Sequence, residues 1–521
     1  MATTKQAGSM IEVISPIDGK TRVGEVPSLT IEDALAATDR ARKAQVAWGE
    51  AGFEERSKVL RRLLGGIRDH QDEIAQTLIM EGGKTRFEAC VFEIASILHL
   101  GDYFLRNAPR ILARRRISIS VFKNRTSYMH YRPRGVVLVI GPWNFPLSNT
   151  MGEVLMGLIA GNAVLLKPAS LTPLTAVLLR RIADEAGLAQ DLFQVITGPG
   201  RLASELIEAG RPDFVSFTGS TETGRGVAAL CARCLIPCTM ELGGKAPALV
   251  LEDANLDTAV RSIVWGAFAN SGQICASIER CLVHERLYDA FVEQAVAQTK
   301  ALRQGDPRQD GVDVGAMTDL RQVAFVESLV QDAVSAGAKV LAGGKRAAAG
   351  ACFFEPTVLV GVTPEMRVMK EESFGPLLPI LKFKTDDEAV RIANDTRYGL
   401  VASVFSHNSR HARAVAERLL AGTVMINDTL STHAYPETPW QGIRDSGFGR
   451  VHSDDGLRDL CLALHVNDEV FSMENPAWYP YTREKLQRVL GLVSLSLAGL
   501  PIRERLGAIH DIVCSRKARD K

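Results

Sequence analysis

Apolar positions along the chain repeat with two different periods. Over roughly the first 110 residues the helical period dominates, with Leu60, Leu63, Leu64 and Ile67 forming one stripe. The glycine pairs Gly65–Gly66 and Gly82–Gly83 predict helix breaks there. Residues 114–132 alternate and are rich in β-formers, which predicts a hairpin-like excursion. Short apolar runs then alternate with helical patterns. Val136–Ile140, Ala163–Lys167, Leu192–Ile196 and Phe214–Phe217 read as buried strands, with helices from Thr172 to about Glu185 and after Thr221. The runs "PALVLE", "RCLVHE", "KVLAGG", "LLPILKF", "ASVFS" and "TVMIND" continue the style from about Gly244 to Gly447. Near-continuous apolar strands between helices predict parallel sheets covered on both faces, an α/β architecture. Such sheets bind ligands beyond the carboxyl ends of their strands.

The 521-residue length calls for two or three domains. An apolar fraction of 46% and a net charge of +1 describe an ordinary soluble chain and give no electrostatic reason to expect nucleic acid. The N-terminal sequence lacks the basic and apolar regions of a secretory signal. Nine scattered cysteines do not form a disulfide framework, so a reducing cytoplasm is the expected compartment. Val489–Ile502 is apolar but shorter than the ~20 residues a spanning helix needs. It reads as a terminal helix packed on the body or a partner, or, with Arg503, Arg505 and the basic end, as a peripheral membrane contact.

Several strand ends carry chemistry. "FTGSTETG" places Gly219 and Gly224 between a strand and a helix, where backbone N–H groups can meet an anion. It is neither a Walker loop nor GxGxxG. "GPWNFP" sets Asn144 between Trp143 and Phe145 in a proline-fixed loop, an amide placed to donate to an oxyanion. Glu241, between Met240 and Leu242, is a carboxylate whose poor solvation would raise its pKa toward that of a useful base. Cys275 follows a Ser-Gly-Gln loop; alone it reads as a core thiol, but beside a donor, a base and a phosphate site it becomes a candidate nucleophile. Cys231, Cys234 and Cys238 lack a fourth ligand nearby and read as core thiols, so no metal is expected.

In order, "GPWNFP", "LLKPAS", "FTGSTETG", "MELGGKAP", "GQICASIER", "EESFGP", "NDTRYGL" and "GIRDSGFGR" make the chain resemble the NAD(P)-dependent aldehyde dehydrogenase superfamily over about residues 10–480. The resemblance implies Cys275 as nucleophile, Glu241 as general base and Asn144 as oxyanion donor beside the Cys275 N–H. It implies cofactor contacts by Trp143, Lys167, Ser170, Gly219, Ser220, Gly224, Glu372 and Phe374, with NAD or NADP as cofactor. The implied fold has a Rossmann-like cofactor domain (1–112 and 134–243), an α/β catalytic domain (244–447) and a bridging β element (113–133 and 448–475), followed by a C-terminal extension (476–521). A homodimer or homotetramer is implied as well.

Two positions refine this. Ser170 stands where strongly NAD-preferring relatives often have a glutamate that repels a 2′-phosphate, so NADP is plausible beside NAD. CoA-acylating relatives often lack the base, so the presence of Glu241 favours hydrolytic release. Trp143, Phe145, Ile274 and Ala276 suggest an apolar entry and an aliphatic or aromatic aldehyde. A succinate-semialdehyde-type or CoA-acylating dehydrogenase is the alternative, and a non-catalytic binding protein of this fold is the different class.

Overall fold

A computed structural model describes residues 9–119, 124–209, 211–473, 475, 477–496, 499 and 501–517. The chain divides into two units, one of residues 1–113 and 131–463 and one of 114–130 and 464–521.

The first unit contains two large sheets. One has six strands in the order Gly447–Phe448, Cys238–Glu241, Phe214–Thr218, Val136–Ile140, Ala163–Lys167, Phe193–Val195. All its neighbours are parallel except the short Gly447–Phe448 edge. The chain starts at the central Val136–Ile140 strand, runs outward to one side, then returns to build the other. This reversal opens a crevice at the carboxyl ends of Val136–Ile140 and Phe214–Thr218, where open sheets take their ligands. The loops that leave these two ends are those bearing Asn144 and Gly219.

The other sheet has seven strands, in the order Lys339–Ala342, Thr357–Val360, Leu377–Phe383, Ile278–His284, Ala246–Val250, Val401–Phe405, Thr423–Ile426, and only its first pair is antiparallel. Its core strands are apolar on both faces because helices cover both. Glu241 ends a strand of the first sheet and Ala246 begins a strand of the second. The link between them passes so close to the cysteine loop that a Cβ on Gly244 would lie 2.4 Å from the Cys275 carbonyl oxygen.

Two expectations need correction. Phe53–Asp69 is one continuous helix through Gly65–Gly66. The buried stripe of Leu60, Leu63, Leu64 and Ile67 outweighs the weak helix propensity of glycine, and Gly66 lets Ile182 approach to 2.8 Å of where its Cβ would stand. At Gly82–Gly83 the helix does end, with Gly83 left-handed at φ 78°. The N-terminal region is not wholly helical, because Met10–Ile14 and Arg22–Pro27 pair as an antiparallel ribbon. Runs of five and six residues with one buried position each carry too little periodicity to be read from the sequence.

Most residues of a third sheet, in the order Cys461–Glu469, Arg125–Pro133, Arg115–Ile117, belong to the second unit, and its last two strands form the antiparallel hairpin predicted from alternation. The helices Arg483–Ser496 and Ile502–Lys517 follow and pack against each other.

Candidate active site

Cys275 sits in the loop before the Ile278–His284 strand, and the chain just ahead of it is unusual. Asn270, Ser271 and Gly272 are all left-handed, at φ 52°, 55° and 73°. Two non-glycine residues in this region cost about 1–3 kcal/mol each, so the surroundings must hold them. They do. The Asn270 N–H donates to Glu88 Oε1 at 2.6 Å, and Lys84 Nζ donates to Asn270 Oδ1 at 3.0 Å and to the Asn144 carbonyl. Ser271 Oγ donates to the Gly315 carbonyl at 3.1 Å, and the Thr318 N–H donates to Gln273 Oε1 at 2.9 Å. A Cβ on Gly272 would stand 2.2 Å from the Gly375 oxygen. This over-determined turn sets Cys275 at the meeting of two cavities.

The first cavity, about 480 Å³, is lined by Phe87, Phe92, Phe145, Trp265, Ile274 and Trp440 among others, and also by Cys275 and Glu241. Phe87 and Phe92 meet edge-to-face at 6.3 Å, and Phe92 and Trp265 at 6.0 Å. Its lining holds no Lys or Arg. Its two histidines, His433 and His452, are neutral at working pH, since burial pushes His433 down to about 4 and His452 well below its usual range.

The second cavity, about 380 Å³, is lined by Gly141–Asn144, Gly219, Ser220, Thr223, Gly243, Phe325, Glu372 and Phe374. Cys275, Glu241, Thr218, Asn149 and Leu242 line both cavities. Trp143 and Phe374 stand edge-to-face at 5.3 Å. Ser220 caps the Thr221–Arg233 helix, accepting from the Thr223 N–H.

The floor of this cavity suits a dinucleotide. A Cβ on Gly219 would meet the Phe217 ring at 2.7 Å, and one on Gly243 would meet Glu372 Oε2 at 2.2 Å, so side chains here would close the cavity. A helix N-terminus faces it, as a pyrophosphate requires. Gly224 does something else: it packs against Leu242, whose Cδ2 lies 2.3 Å from where its Cβ would be, and it is absent from the lining. Lys167 and Ser170 also stand outside the lining. Lys167 is buried, donates to the Pro168 carbonyl at 2.9 Å and is lowered to about 8 by burial; Ser170 Oγ donates to the Gly198 carbonyl at 3.0 Å.

The three catalytic candidates differ in state. Glu241 is 5% exposed, and neither of its carboxylate oxygens has a hydrogen-bond partner among the described residues. Burial, then the charge of Glu153, pushes it well above the carboxylate range. Cys275 is pushed up to about 12, by burial first, then by Glu372 and Glu241. Asn144 Nδ2 spends one N–H on the Gln273 carbonyl at 2.9 Å, which orients the amide beside the cysteine loop and leaves its second N–H to donate. Glu372 accepts from the Gly244 N–H at 2.8 Å and is raised to about 8 by burial and the nearby Glu279.

Sequence reading missed the supports. Lys245 and Glu279 form a fully buried ion pair at 2.7 Å. Glu279 also accepts from the Ser373 and Phe374 N–H groups at 2.7 and 2.8 Å, so it fixes the turn that carries Glu372. Both residues lie inside quoted motifs, "MELGGKAP" and "GQICASIER", which was the available signal. Lys84, Glu88 and Glu93 had none, because a charged residue in a helical stretch usually faces solvent.

A thiol, a carboxyl and an amide donor gathered between an apolar cavity and a dinucleotide-shaped one have the make-up of an oxidoreductase site. The aldehyde dehydrogenase family model matches residues 3–466. The chain is 37% identical to 4,4'-diapolycopene aldehyde oxidase of Methylomonas sp over 93% of this chain and 90% of that protein. It is 36% identical to succinate-semialdehyde dehydrogenase [NADP(+)] of Escherichia coli over 88% of this chain and 95% of that protein. The crystal structure of an aldehyde dehydrogenase from Brucella melitensis superposes with a TM-score of 0.86 at 35% identity, covering 89% of this chain and 95% of that one. The chain belongs to the aldehyde dehydrogenase family.

Proposed function

We propose that this enzyme oxidises an apolar aldehyde to its carboxylic acid with NAD or NADP, using Cys275 as nucleophile, Glu241 as base and Asn144 as oxyanion donor. The observation that carries the substrate class is the large cavity on one side of Cys275. It is lined by aromatic and aliphatic groups, holds two neutral histidines and no cation, and includes two carboxyl groups, Glu153 and Glu241. A carboxylate on the substrate would find no cationic partner there among the described residues, and two carboxyl groups instead. This favours an aliphatic or aromatic aldehyde over a semialdehyde. The Methylomonas relative is named for 4,4'-diapolycopene aldehyde.

The chemistry follows from the states of the groups. At neutral pH Cys275 is stored as a thiol, so attack requires transfer of its proton, and Glu241 lines both cavities beside it. Addition of sulfur to the carbonyl carbon generates an alkoxide, which the Asn144 amide and the Cys275 N–H stabilise. The bound nicotinamide supplies the hydride acceptor. Trp143, Gly219, Ser220, Glu372 and Phe374 would hold the cofactor in the second cavity, with Lys167 and Ser170 at its adenosine end and Gly224 fixing the helix behind the phosphate loop. Loss of hydride from the Cys275 adduct leaves a thioester. Glu241 then takes a proton from water as that water adds to the thioester, and the C–S bond breaks to return the thiolate.

The domain organisation implied by the family, its cytoplasmic placement and its homodimer or homotetramer extend the proposal, with the bridging β element (113–133 and 448–475) as the assembly surface. We also propose that the C-terminal helices touch an anionic membrane surface. Leu486, Leu490, Ile502 and Leu506 are exposed on them, and Arg483 to Lys521 holds nine Lys/Arg against four Asp/Glu.

The test is kcat/KM over straight-chain aldehydes with each cofactor. Each buried methylene is worth about 0.8 kcal/mol, so kcat/KM is expected to rise about fourfold per CH2 until the cavity fills. ω-Carboxylated aldehydes of equal length should lag by tenfold or more. A preference for the carboxylated series would overturn the apolar assignment.

A further inference from the structure

The helix Ser148–Ile159 is buried at every position but the half-buried Asn149, yet it presents Ser148, Asn149 and Glu153 to the large apolar cavity. Polar side chains on so buried a helix call for an explanation. Asn149 has one, since its Oδ1 lies 3.1 Å from His433 Nε2. Glu153 accepts from Ser216 Oγ at 3.1 Å, and this is the one hydrogen bond that its carboxyl makes among the described residues.

The strand register shows where Glu153 points. On the parallel pair, Ser216 lies opposite Thr239 and Thr218 opposite Glu241. Residues two apart on a strand share a face, and parallel partners share it too. Ser216, Thr218, Thr239 and Glu241 therefore face the same way, and Glu153, bonded to Ser216, lies over that face within one cavity with Glu241. The carboxyl of Glu241 has no hydrogen-bond partner among the described residues, and the cavity has room for several waters at about 30 Å³ each.

We infer that Glu153 is a positioning residue for deacylation, a second carboxyl that receives through water the proton Glu241 takes from the hydrolytic water. This rests on Glu241 being the base. In the step, the water oxygen bonds to the thioester carbon and the C–S pair returns to Cys275. One water proton goes to Glu241 and on to the Glu153 carboxylate, while the acid product keeps the other. Two carboxyls sharing one cavity cannot both ionise cheaply, so the charge of Glu153 holds Glu241 basic, in accord with burial raising Glu153 to about 7. The other titratable groups around the pair are Cys275 and, beyond it, Glu372; His433 and His452 on the cavity wall; Asp459 behind Glu153; and the Lys84–Glu93 pair, whose Glu93 caps the start of the helix.

The experiment measures decay of the Cys275 acyl-enzyme by rapid quench across pH in wild type, Glu153→Gln, Glu153→Asp and Ser216→Ala. Removing the charge lowers the pKa of Glu241. The ascending limb in Glu153→Gln should therefore move about one unit to lower pH, and its plateau should fall several-fold. Formation of the acyl-enzyme draws on the same base, so its pH profile should move in the same sense while acyl-enzyme still accumulates. Glu153→Asp should restore the wild-type profile, and Ser216→Ala, which favours neutral Glu153, should shift the limb the same way by less. If Glu153→Gln does not fold, Ser216→Ala decides. An unmoved limb with normal acylation would overturn the inference while leaving the proposed function intact. Absence of any acyl-enzyme in wild type would instead remove the reading on which it rests.

Discussion

Glu241 is buried and Cys275 half-buried at the junction of the two cavities, and desolvation raises both, so both hold their protons at pH values where free groups would lose them. The pKa of Cys275, about 12, sets a sign that can be checked. The thiolate fraction rises with pH, so iodoacetamide should alkylate Cys275 slowly at neutral pH and steadily faster up to at least pH 10 in protein free of cofactor. Peptide mapping follows this directly, and a rate that levels off near pH 8 would contradict the assigned state. Cys275, Glu241 and Asn144 stand out in the sequence because each lies within a distinctive motif, Glu241 at the end of a strand, Asn144 just after one and Cys275 just before one. Glu153 does not. Within "SNTMGEVLMGLI" it reads as the polar face of an amphipathic helix, and only the packing shows that this helix has no solvent face.

At the scale of elements, the site depends on strained or charged turns held by remote partners. The turn carrying Glu372 is fixed by Glu279, and Glu279 is neutralised by Lys245. Lys245→Met would leave a carboxylate buried and unpaired, at a cost of about 3–5 kcal/mol. Calorimetry should show a lowered melting temperature, and cofactor titration should show weaker binding because Glu372 and Phe374 lose their support. Unchanged affinity in a folded variant would mean that the turn holds itself. The alternation of strands and helices was readable because apolar runs of five or more residues, buried on both faces, leave a clear trace. Thr357–Val360 is a four-residue strand with no flanking pattern and left none. The continuous helix through Gly65–Gly66 shows the opposite failure, where a local breaker signal yields to a buried stripe eight residues long.

At the scale of the whole molecule, the sequence pointed to a family rather than to a substrate, because substrate choice is set by cavity walls drawn from distant segments. Phe87, Phe145, Trp265 and Trp440 come together only in the fold. The C-terminal helices were legible as apolar and basic but not as a pair. Among the described residues no helix is long and apolar enough to cross a membrane, which leaves surface contact as the membrane role open to them. Flotation with vesicles containing phosphatidylserine should lift the full chain and not a chain ending at Trp478, and added salt should weaken the binding. Equal behaviour of the two chains would remove the membrane proposal.

We propose that the Cys275 thiol, set between two cavities, attacks an apolar aldehyde whose hydride passes to bound nicotinamide. The most direct measurement is the absorbance of reduced nicotinamide on mixing enzyme, cofactor and a long-chain aldehyde, for wild type and Cys275→Ala side by side. Steady reduction by wild type and none by the variant, with cofactor binding retained in both, is the predicted result. Reduction that survives the substitution, or none in wild type despite bound cofactor, would contradict it.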